Sequence, residues 1–317
     1  MADAATTAAA RARTRPRRQW RRVFLGGLVL WAASVLVTFW TANANLVPTI
    51  ILLGSFLVPV SFVVYALERH ADQVLTGQRI FTTFLYGGVL GVLAASILEA
   101  EFLGQPSLRT YIGVGLIEEA AKLAALWLIA WRLPRYTMRD GILLGGIVGL
   151  GFAALENAGY AFNAMFTVEG LSLLNLVQTE VLRGVLTPLG HGVWTAILGG
   201  ALFRAAAPAG PLRVTGGLVG WYLLVALLHG LWDASRGIAV WLTLLLTADP
   251  VQWRLIQQGR FPRPTETQVQ VFSLLSWGLL ALVAVAGLVV LRGRWRQAKA
   301  LQPSTPGPTP PADTMLG

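Results

Sequence analysis

A small set of ionisable side chains lies inside otherwise apolar stretches of this sequence, and these residues have the chemistry for catalysis. They are Glu118, Glu119, Lys122, Glu156, His191, His229 and Asp233, on four successive apolar stretches. A charged side chain at the centre of a membrane helix costs roughly 2.5–3.5 kcal/mol on insertion scales, so such residues are expected to face one another or water. Carboxylates and imidazoles that meet around water are the groups that acid–base and metal-assisted hydrolysis require.

The spacing of these residues predicts local pairs. Glu118 and Lys122 are four residues apart, so they can pair along one face of a helix. Glu119 projects about 100° away from Glu118 and is therefore expected to be free for another role. His229 and Asp233 are also four apart, so the carboxylate can orient the imidazole or both groups can approach one ion.

The elements that position these residues are predicted to be transmembrane helices. The chain has 317 residues, 55% hydrophobic and 13% charged, whereas a soluble domain carries about 25% charge. Its apolar blocks are about 20 residues long, enough to cross a hydrocarbon core of roughly 30 Å. We therefore expect an all-α polytopic bundle in a bacterial plasma membrane. The predicted spans, about eight in number, are residues 23–42, 46–67, 82–103, 109–131, 140–162, 180–203, 213–235 and 268–291.

The basic residues predict the orientation of these spans. Most of the 25 Lys and Arg residues fall in segments that are cytoplasmic if both termini are inside. The net charge of +10 is thus a topology signal, and no nucleic-acid-binding module is apparent. We expect residues 1–22 to be a disordered basic cytoplasmic arm, 23–292 the transmembrane domain that carries the candidate residues, and 293–317 a basic and then Pro-rich disordered cytoplasmic tail. The chain has no cysteine, which excludes disulfides and Cys-ligated metals.

Several finer features follow from the same pattern. The run 238–246 is too short to cross the bilayer and is expected to lie in the interface or to re-enter the membrane. The outer loops, about 163–179 and 236–267, are expected to contact an external partner. Gly141, Gly145 and Gly149 form a small-xxx-small ridge for close helix packing. Counted from the outer end of each span, the candidate residues except Lys122 fall in the outer half, so a polar cavity open to the exterior is expected.

Four motifs in order carry a family resemblance. They are Glu118-Glu119-x-x-Lys122 (EExxK), Phe152-x-x-x-Glu156 (FxxxE) followed by Asn157, the single His191, and His229-x-x-x-Asp233 (HxxxD). This order resembles the PrsW family of intramembrane proteases, which is related to the CAAX-processing and bacteriocin-processing membrane proteases. The resemblance implies a peptidase that cleaves a membrane-anchored protein. The named member of the family makes the first, outer-side cut in an anti-sigma factor.

Two mechanisms are open on these residues. In the first, His191, His229 and a carboxylate from Asp233 or Glu156 bind a divalent metal, zinc being expected, and Glu119 is the general base. In the second there is no metal, Glu119 activates water directly, and the imidazoles stabilise the oxyanion. In either case, Phe152 is expected to wall the pocket of Glu156.

Two other classes of function compete with the peptidase. Intramembrane Glu, Asp and His also build the relays of proton- or cation-coupled transporters. The absence of an internal repeat and of a polar path to the cytoplasmic side argues against a transporter. The other alternative is a non-enzymatic membrane scaffold, although all four motifs are intact.

Overall fold

The protein is a bundle of helices, seen in a computed structural model that describes residues 18–72, 74–207 and 210–301. The helices are α1 (Gln19–Thr41), α2 (Val47–His70), α3 (Gly77–Phe102), α4 (Leu108–Ala130), α5 (Met138–Ala164), α6 (Leu173–Leu186), α7 (His191–Ala206), α8 (Gly216–Thr247), α9 (Pro250–Gln257) and α10 (Glu266–Ala300). Short 3₁₀ turns cover Ala44–Leu46 and Thr187–Leu189. Two antiparallel strands, β1 (Phe166–Thr167) and β2 (Gly170–Leu171), form a small hairpin between α5 and α6.

The lengths and apolar composition of these helices confirm the predicted all-α polytopic architecture. Among the described residues, seven segments are long and apolar enough to cross a membrane, α6 and α7 counting as one segment from Leu173 to Ala206. Helix α4 is 23 residues long and corresponds to the fourth predicted span, 109–131, although it carries Glu118, Glu119 and Lys122 in its middle. The location of both termini on the cytoplasmic side stays a prediction.

The ends of the bundle differ from the predicted boundaries. Helix α1 begins at Gln19, so the last four residues of the expected disordered arm, 19–22, are helical. Helix α10 continues to Ala300, beyond the expected start of the tail at residue 293. The rest of the expected arm, residues 1–17, and the Pro-rich residues 302–317 lie outside the described residues.

The run 238–246 is not a separate short segment, and its position relative to the bilayer stays a prediction. It is the last part of α8, which continues without a break for 32 residues. Gly237 alone does not end a helix, and the first strong stop signal is the Asp249-Pro250 pair that caps α9. At 1.5 Å per residue α8 is about 48 Å long, more than the hydrocarbon thickness. The expected loop 236–267 is therefore largely helical, and the expected loop 163–179 contains the hairpin and the start of α6.

The predicted span 180–203 is two helices rather than one. Helix α6 ends at Leu186 and α7 begins at His191, with a 3₁₀ turn between them. Pro188 interrupts the backbone hydrogen bonding of a continuous helix, and Gly190 adopts a backbone conformation outside the helical region. This break makes His191 the first residue of α7.

Helix α5 lies at the centre of the bundle and packs most closely against α7. The glycine ridge makes this approach possible, as predicted. A Cβ atom at Gly141, Gly145 or Gly149 would collide with a backbone carbonyl of α7, that of Gly199, Thr195 and His191 respectively. The ridge thus fixes the backbone of His191 against α5.

Candidate active site

A polar cavity of about 490 Å³ opens between helices α3 to α8. Its acidic and basic lining residues are Glu99, Glu118, Glu156, Arg183, His191, Asp233 and Arg236. Glu99 and Glu156 come from the halves of their helices nearest the loops predicted to be outside, whereas Glu118 and Asp233 lie in the middle of α4 and α8 and Arg183 lies in the last turn of α6. That the cavity opens to the exterior stays a prediction.

Lys122 lies at the centre of the site beside the cavity. Its Nζ atom donates to Glu118 Oε2 at 2.9 Å, to Glu119 Oε1 at 2.8 Å and to His191 Nδ1 at 2.8 Å. The lysine side chain is 0% exposed, and its Nζ also lies 4.0 Å from the centre of the Phe152 ring. The predicted Glu118–Lys122 pair is present. The direction of Glu119 on the helix predicted that it would be free of Lys122. Because the flexible lysine reaches both carboxylates, Glu119 is paired with it as well.

Glu119 lies behind Glu118, away from the cavity. It is 0% exposed and does not line the cavity. Besides Lys122, it contacts His229 Nδ1 at 3.0 Å through Oε1 and accepts from Thr195 Oγ1 at 3.3 Å through Oε2. A carboxylate enclosed by three protein partners cannot reach cavity water. This position differs from the one expected of a general base, and it suits a residue that orients His229.

The His229 ring joins Glu119 to the cavity. Since its Nδ1 faces a carboxylate, that nitrogen is the donor, and Nε2 on the other side of the ring is the nitrogen that could bind an ion. Nε2 lies 3.6 Å from Glu118 Oε2 and 3.5 Å from Asp233 Oδ2. A histidine whose second nitrogen donates to a carboxylate is the usual arrangement of a metal ligand.

His191 occupies the opposite wall of the site. Its Nδ1 accepts from the Lys122 ammonium, which can only donate, so Nε2 is the protonated nitrogen. Nε2 lies 3.1 Å from Glu156 Oε2. The ring lies between Phe152, at 5.5 Å, and Trp194, at 5.6 Å. Phe152 walls this part of the cavity as predicted.

Sequence reasoning missed Arg183 as a site residue. From α6 it donates to Glu156 Oε2 and to Asn157 Oδ1, both at 2.6 Å, and it stacks on the Tyr160 ring at 3.9 Å. Asn157 also accepts from Thr187 Oγ1 at 3.0 Å. The signal in the sequence was an arginine within the predicted span 180–203. Thr195 and Trp194, also missed, carry no sequence signal because both are ordinary in a buried helix.

One group in the described part of the chain has the donors and spacing to hold a metal ion. Glu118, His191 and His229 each offer one atom, and these atoms lie within 4.8 Å of one another. Two imidazoles and a carboxylate fit a catalytic zinc site. The carboxylate in this group is Glu118, whereas the sequence analysis expected Asp233 or Glu156. Lys122 and an ion would compete for Glu118 Oε2 and His191 Nδ1, because the ammonium donates to both atoms.

Residues 76–254, which include all four motifs, match the family model described as PrsW family intramembrane metalloprotease. The chain is 31% identical over 175 residues to Protease PrsW of Halalkalibacterium halodurans, covering 54% of this chain and 74% of the relative. It is 25% identical over 200 residues to Protease PrsW of Geobacillus kaustophilus, covering 62% and 79%. No solved structure matches the chain.

Proposed function

Because the chain belongs to the PrsW family of intramembrane proteases and is a membrane-embedded peptidase, we propose that it cleaves a membrane-anchored protein close to the extracytoplasmic side of the bilayer. The observation that carries the proposal is the buried group of Glu118, His191 and His229 beside the polar cavity of about 490 Å³. A membrane-anchored regulator of the anti-sigma-factor type is the substrate class that the family resemblance implies.

The proposed metal ligands are Glu118, His191 and His229. They would hold a divalent ion such as zinc, which would supply Lewis-acid chemistry by lowering the pKa of bound water and polarising the scissile carbonyl. His229 is the best placed of the three to bind an ion, because Glu119 holds its Nδ1 and directs Nε2 towards Glu118. Glu119 thus acts through His229 and is a positioning residue.

Asp233 is the proposed acceptor of the proton from the attacking water. It lines the cavity, and its side chain is 28% exposed, 3.5 Å from His229 Nε2. Among the described residues it forms no ion pair with Lys or Arg, whereas Glu156 is paired with Arg183. A carboxylate without a cationic partner is the better proton acceptor of the two.

The distribution of polar residues favours a peptidase over a transporter. The predicted cytoplasmic halves of the helices pack into an apolar core that includes Leu126, Leu144, Ile147, Leu202 and Phe203. A proton or cation path needs polar groups through this region. The cavity side chains instead converge at one end, as hydrolysis requires.

The proposal is tested by comparing wild type with the variants Glu118→Gln and Asp233→Asn. New N-termini in membrane proteins are identified by mass spectrometry in cells that express each form, and the cleavage is repeated with purified enzyme and substrate in proteoliposomes. We expect wild type to cleave near the extracytoplasmic end of the substrate's span. Glu118→Gln should lose both metal and activity, and Asp233→Asn should lose activity but keep the metal.

His70 supplies a matched control, since it is the one histidine of the chain outside the site. His70→Ala should keep metal content and cleavage, while His191→Ala and His229→Ala lose both. Cleavage that persists in Glu118→Gln, or in enzyme stripped of metal by chelation, would refute the proposed metal-dependent mechanism. Cleavage confined to the cytoplasmic end of the substrate would refute the proposed side.

A further inference from the structure

A second polar cavity, of about 450 Å³, lies at the other end of α5 from the candidate active site. Its charged and aromatic lining includes Arg69, His70, Asp72, Arg135, Arg139 and Trp295. Arg139 and Glu156 are seventeen residues apart on α5, about 25 Å along the helix, so the two cavities are separate. The volume falls in the range of roughly 300–1,000 Å³ that is usual for small-ligand sites.

The charges around this cavity leave two arginines without a counterion. Arg135 attracts both nearby aspartates, with Asp72 Oδ2 2.5 Å from its Nη2 and Asp140 Oδ2 3.5 Å from its Nε. Within residues 18–72, 74–207 and 210–301, neither Arg69 nor Arg139 forms an ion pair with a carboxylate. The remaining charge of the cavity is therefore positive.

The unpaired arginines are held in place by aromatic rings. The Arg69 guanidinium lies 5.5 Å from the centre of the Tyr65 ring, and that of Arg139 lies 5.8 Å from Trp295. Arg139 Nη2 also donates to His70 Nδ1 at 3.0 Å, which leaves the proton of His70 on Nε2 as a further donor. Each guanidinium has five N–H donors, so most remain available in the planar geometry that matches a phosphate.

The position of the cavity indicates where the phosphate comes from. Arg69 and Arg139 lie at helix ends that the distribution of basic residues assigns to the cytoplasmic side. Tyr65 and Trp295 have the side chains typical of a membrane interface. The cytoplasmic leaflet presents anionic lipids at this level. We infer that Arg69, His70 and Arg139 form a binding site for the phosphate of an anionic phospholipid headgroup.

The test uses the purified full chain in a neutral detergent and measures its Tm on addition of phosphatidylglycerol, phosphatidylcholine or inorganic phosphate. We expect phosphatidylglycerol to raise the Tm saturably, and the other two to have little effect at the same concentration. In Arg69→Gln/Arg139→Gln, half-saturation should need at least about tenfold more phosphatidylglycerol, as for loss of charge-assisted hydrogen bonds. Arg132→Gln is the matched control, because Arg132 lies close in sequence but does not line the cavity.

A second variant guards against an effect on folding. Arg69→Lys/Arg139→Lys keeps the charge but loses the planar donor geometry, so its half-saturation should lie between those of wild type and the Gln variant. Equal responses to phosphatidylglycerol and phosphatidylcholine would overturn the inference, as would a Gln variant that responds like Arg132→Gln. A Tm rise of the same size with inorganic phosphate would assign the site to free phosphate and overturn the lipid assignment.

Discussion

Glu119 Oε1 lies 3.0 Å from His229 Nδ1, although 110 residues separate the two in the chain. The contact joins α4 to α8 in a region from which water is excluded, since the two side chains are 0% and 2% exposed. It determines which nitrogen of His229 faces Glu118 and Asp233. The EExxK and HxxxD motifs are therefore one structural unit, with Glu119 as the link between them.

Glu119→Gln should weaken metal binding without removing a metal ligand. An amide can still contact His229, but it does not stabilise the protonated Nδ1 as a carboxylate does. Loss of such an outer partner typically lowers metal affinity or activity 10–100-fold, and we expect a fall in this range. Zinc titration of the purified variant measures the affinity, and Glu101→Gln, at an exposed position on α3, is the control. Unchanged zinc affinity in Glu119→Gln would contradict the role of Glu119.

Lys122→Met should destabilise the metal-free protein, and zinc should partly restore its stability. The change leaves the buried carboxylates of Glu118 and Glu119 without their ammonium partner, and loss of one partner of a buried ion pair costs about 3–5 kcal/mol. A divalent ion would supply the missing charge, and binding to the folded state raises stability. Thermal unfolding with and without zinc measures both effects.

The other lysine of the chain, Lys299, provides the control for this experiment, because it is exposed in the last turn of α10. Lys299→Met should unfold like wild type under both conditions. If zinc stabilises Lys122→Met no more than it stabilises wild type, Lys122 and the ion do not compete for the same atoms.

The sequence was sufficient to predict which residues converge, but not which of them face the cavity. Apolar blocks and the cost of buried charge predict the helices and the meeting of Glu118, Glu119, His191 and His229. Glu118 faces the cavity where Glu119 was expected to do so, and this depends on how far α4 is rotated against α8. That rotation is set by packing, for example by the close approach of Gly115 to the Ala226 carbonyl, and no spacing rule contains it.

Arg183 shows a second limit of sequence reasoning. It lies on α6, outside the four motifs, and its contacts to Glu156 and Asn157 form only because Pro188 and Gly190 separate α6 from α7. Helical periodicity predicts contacts within one helix, whereas these contacts depend on the angle between two helices. An arginine in an apolar span was the available signal.

Arg183→Gln should lower kcat while leaving the metal content unchanged. Glu156 would lose its charge-assisted hydrogen bond and no longer be held beside His191 Nε2. Loss of such a bond, at about 1.5–3 kcal/mol, corresponds to a fall of roughly 10–100-fold if it acts fully in the transition state. Arg183→Lys should be intermediate, because a point charge cannot bind Glu156 and Asn157 together.

Cleavage kinetics of the identified substrate, with bound zinc measured on the same samples, test this expectation. Arg254→Gln on α9, whose residue does not line the cavity, should behave as wild type. A loss of zinc in Arg183→Gln equal to its loss of activity would show that Arg183 supports the fold of the metal site rather than Glu156.

Asp72, in the loop between α2 and α3, should give a pH dependence of stability at acid pH. Partial burial raises its pKa, but the N–H groups of Leu75 and Val74 and the charge of Arg135 outweigh this effect and lower the pKa below the usual value. Because the pKa is lowered, ionised Asp72 stabilises the folded state above the unfolded-state pKa of about 3.9. This stabilisation is lost as the pH falls through the folded-state pKa. The Tm difference between wild type and Asp72→Asn should therefore shrink below about pH 4. A Tm difference that stays constant down to about pH 2 would contradict this prediction.

Gly149→Ala should impair catalysis through the backbone of His191. The added Cβ would collide with the His191 carbonyl and lie 2.9 Å from Thr195 Oγ1, and Thr195 is a partner of Glu119. Because buried backbone cannot yield without separating α5 from α7, overpacking of this kind typically costs 1–3 kcal/mol. Gly159→Ala, ten residues further along the same helix, has nothing within 4 Å of its new Cβ and is the matched control. We expect Gly149→Ala to lower the Tm and the zinc affinity together, and Gly159→Ala to change neither. If Gly149→Ala were as stable and as active as Gly159→Ala, the close packing of α5 on α7 would not be what positions His191.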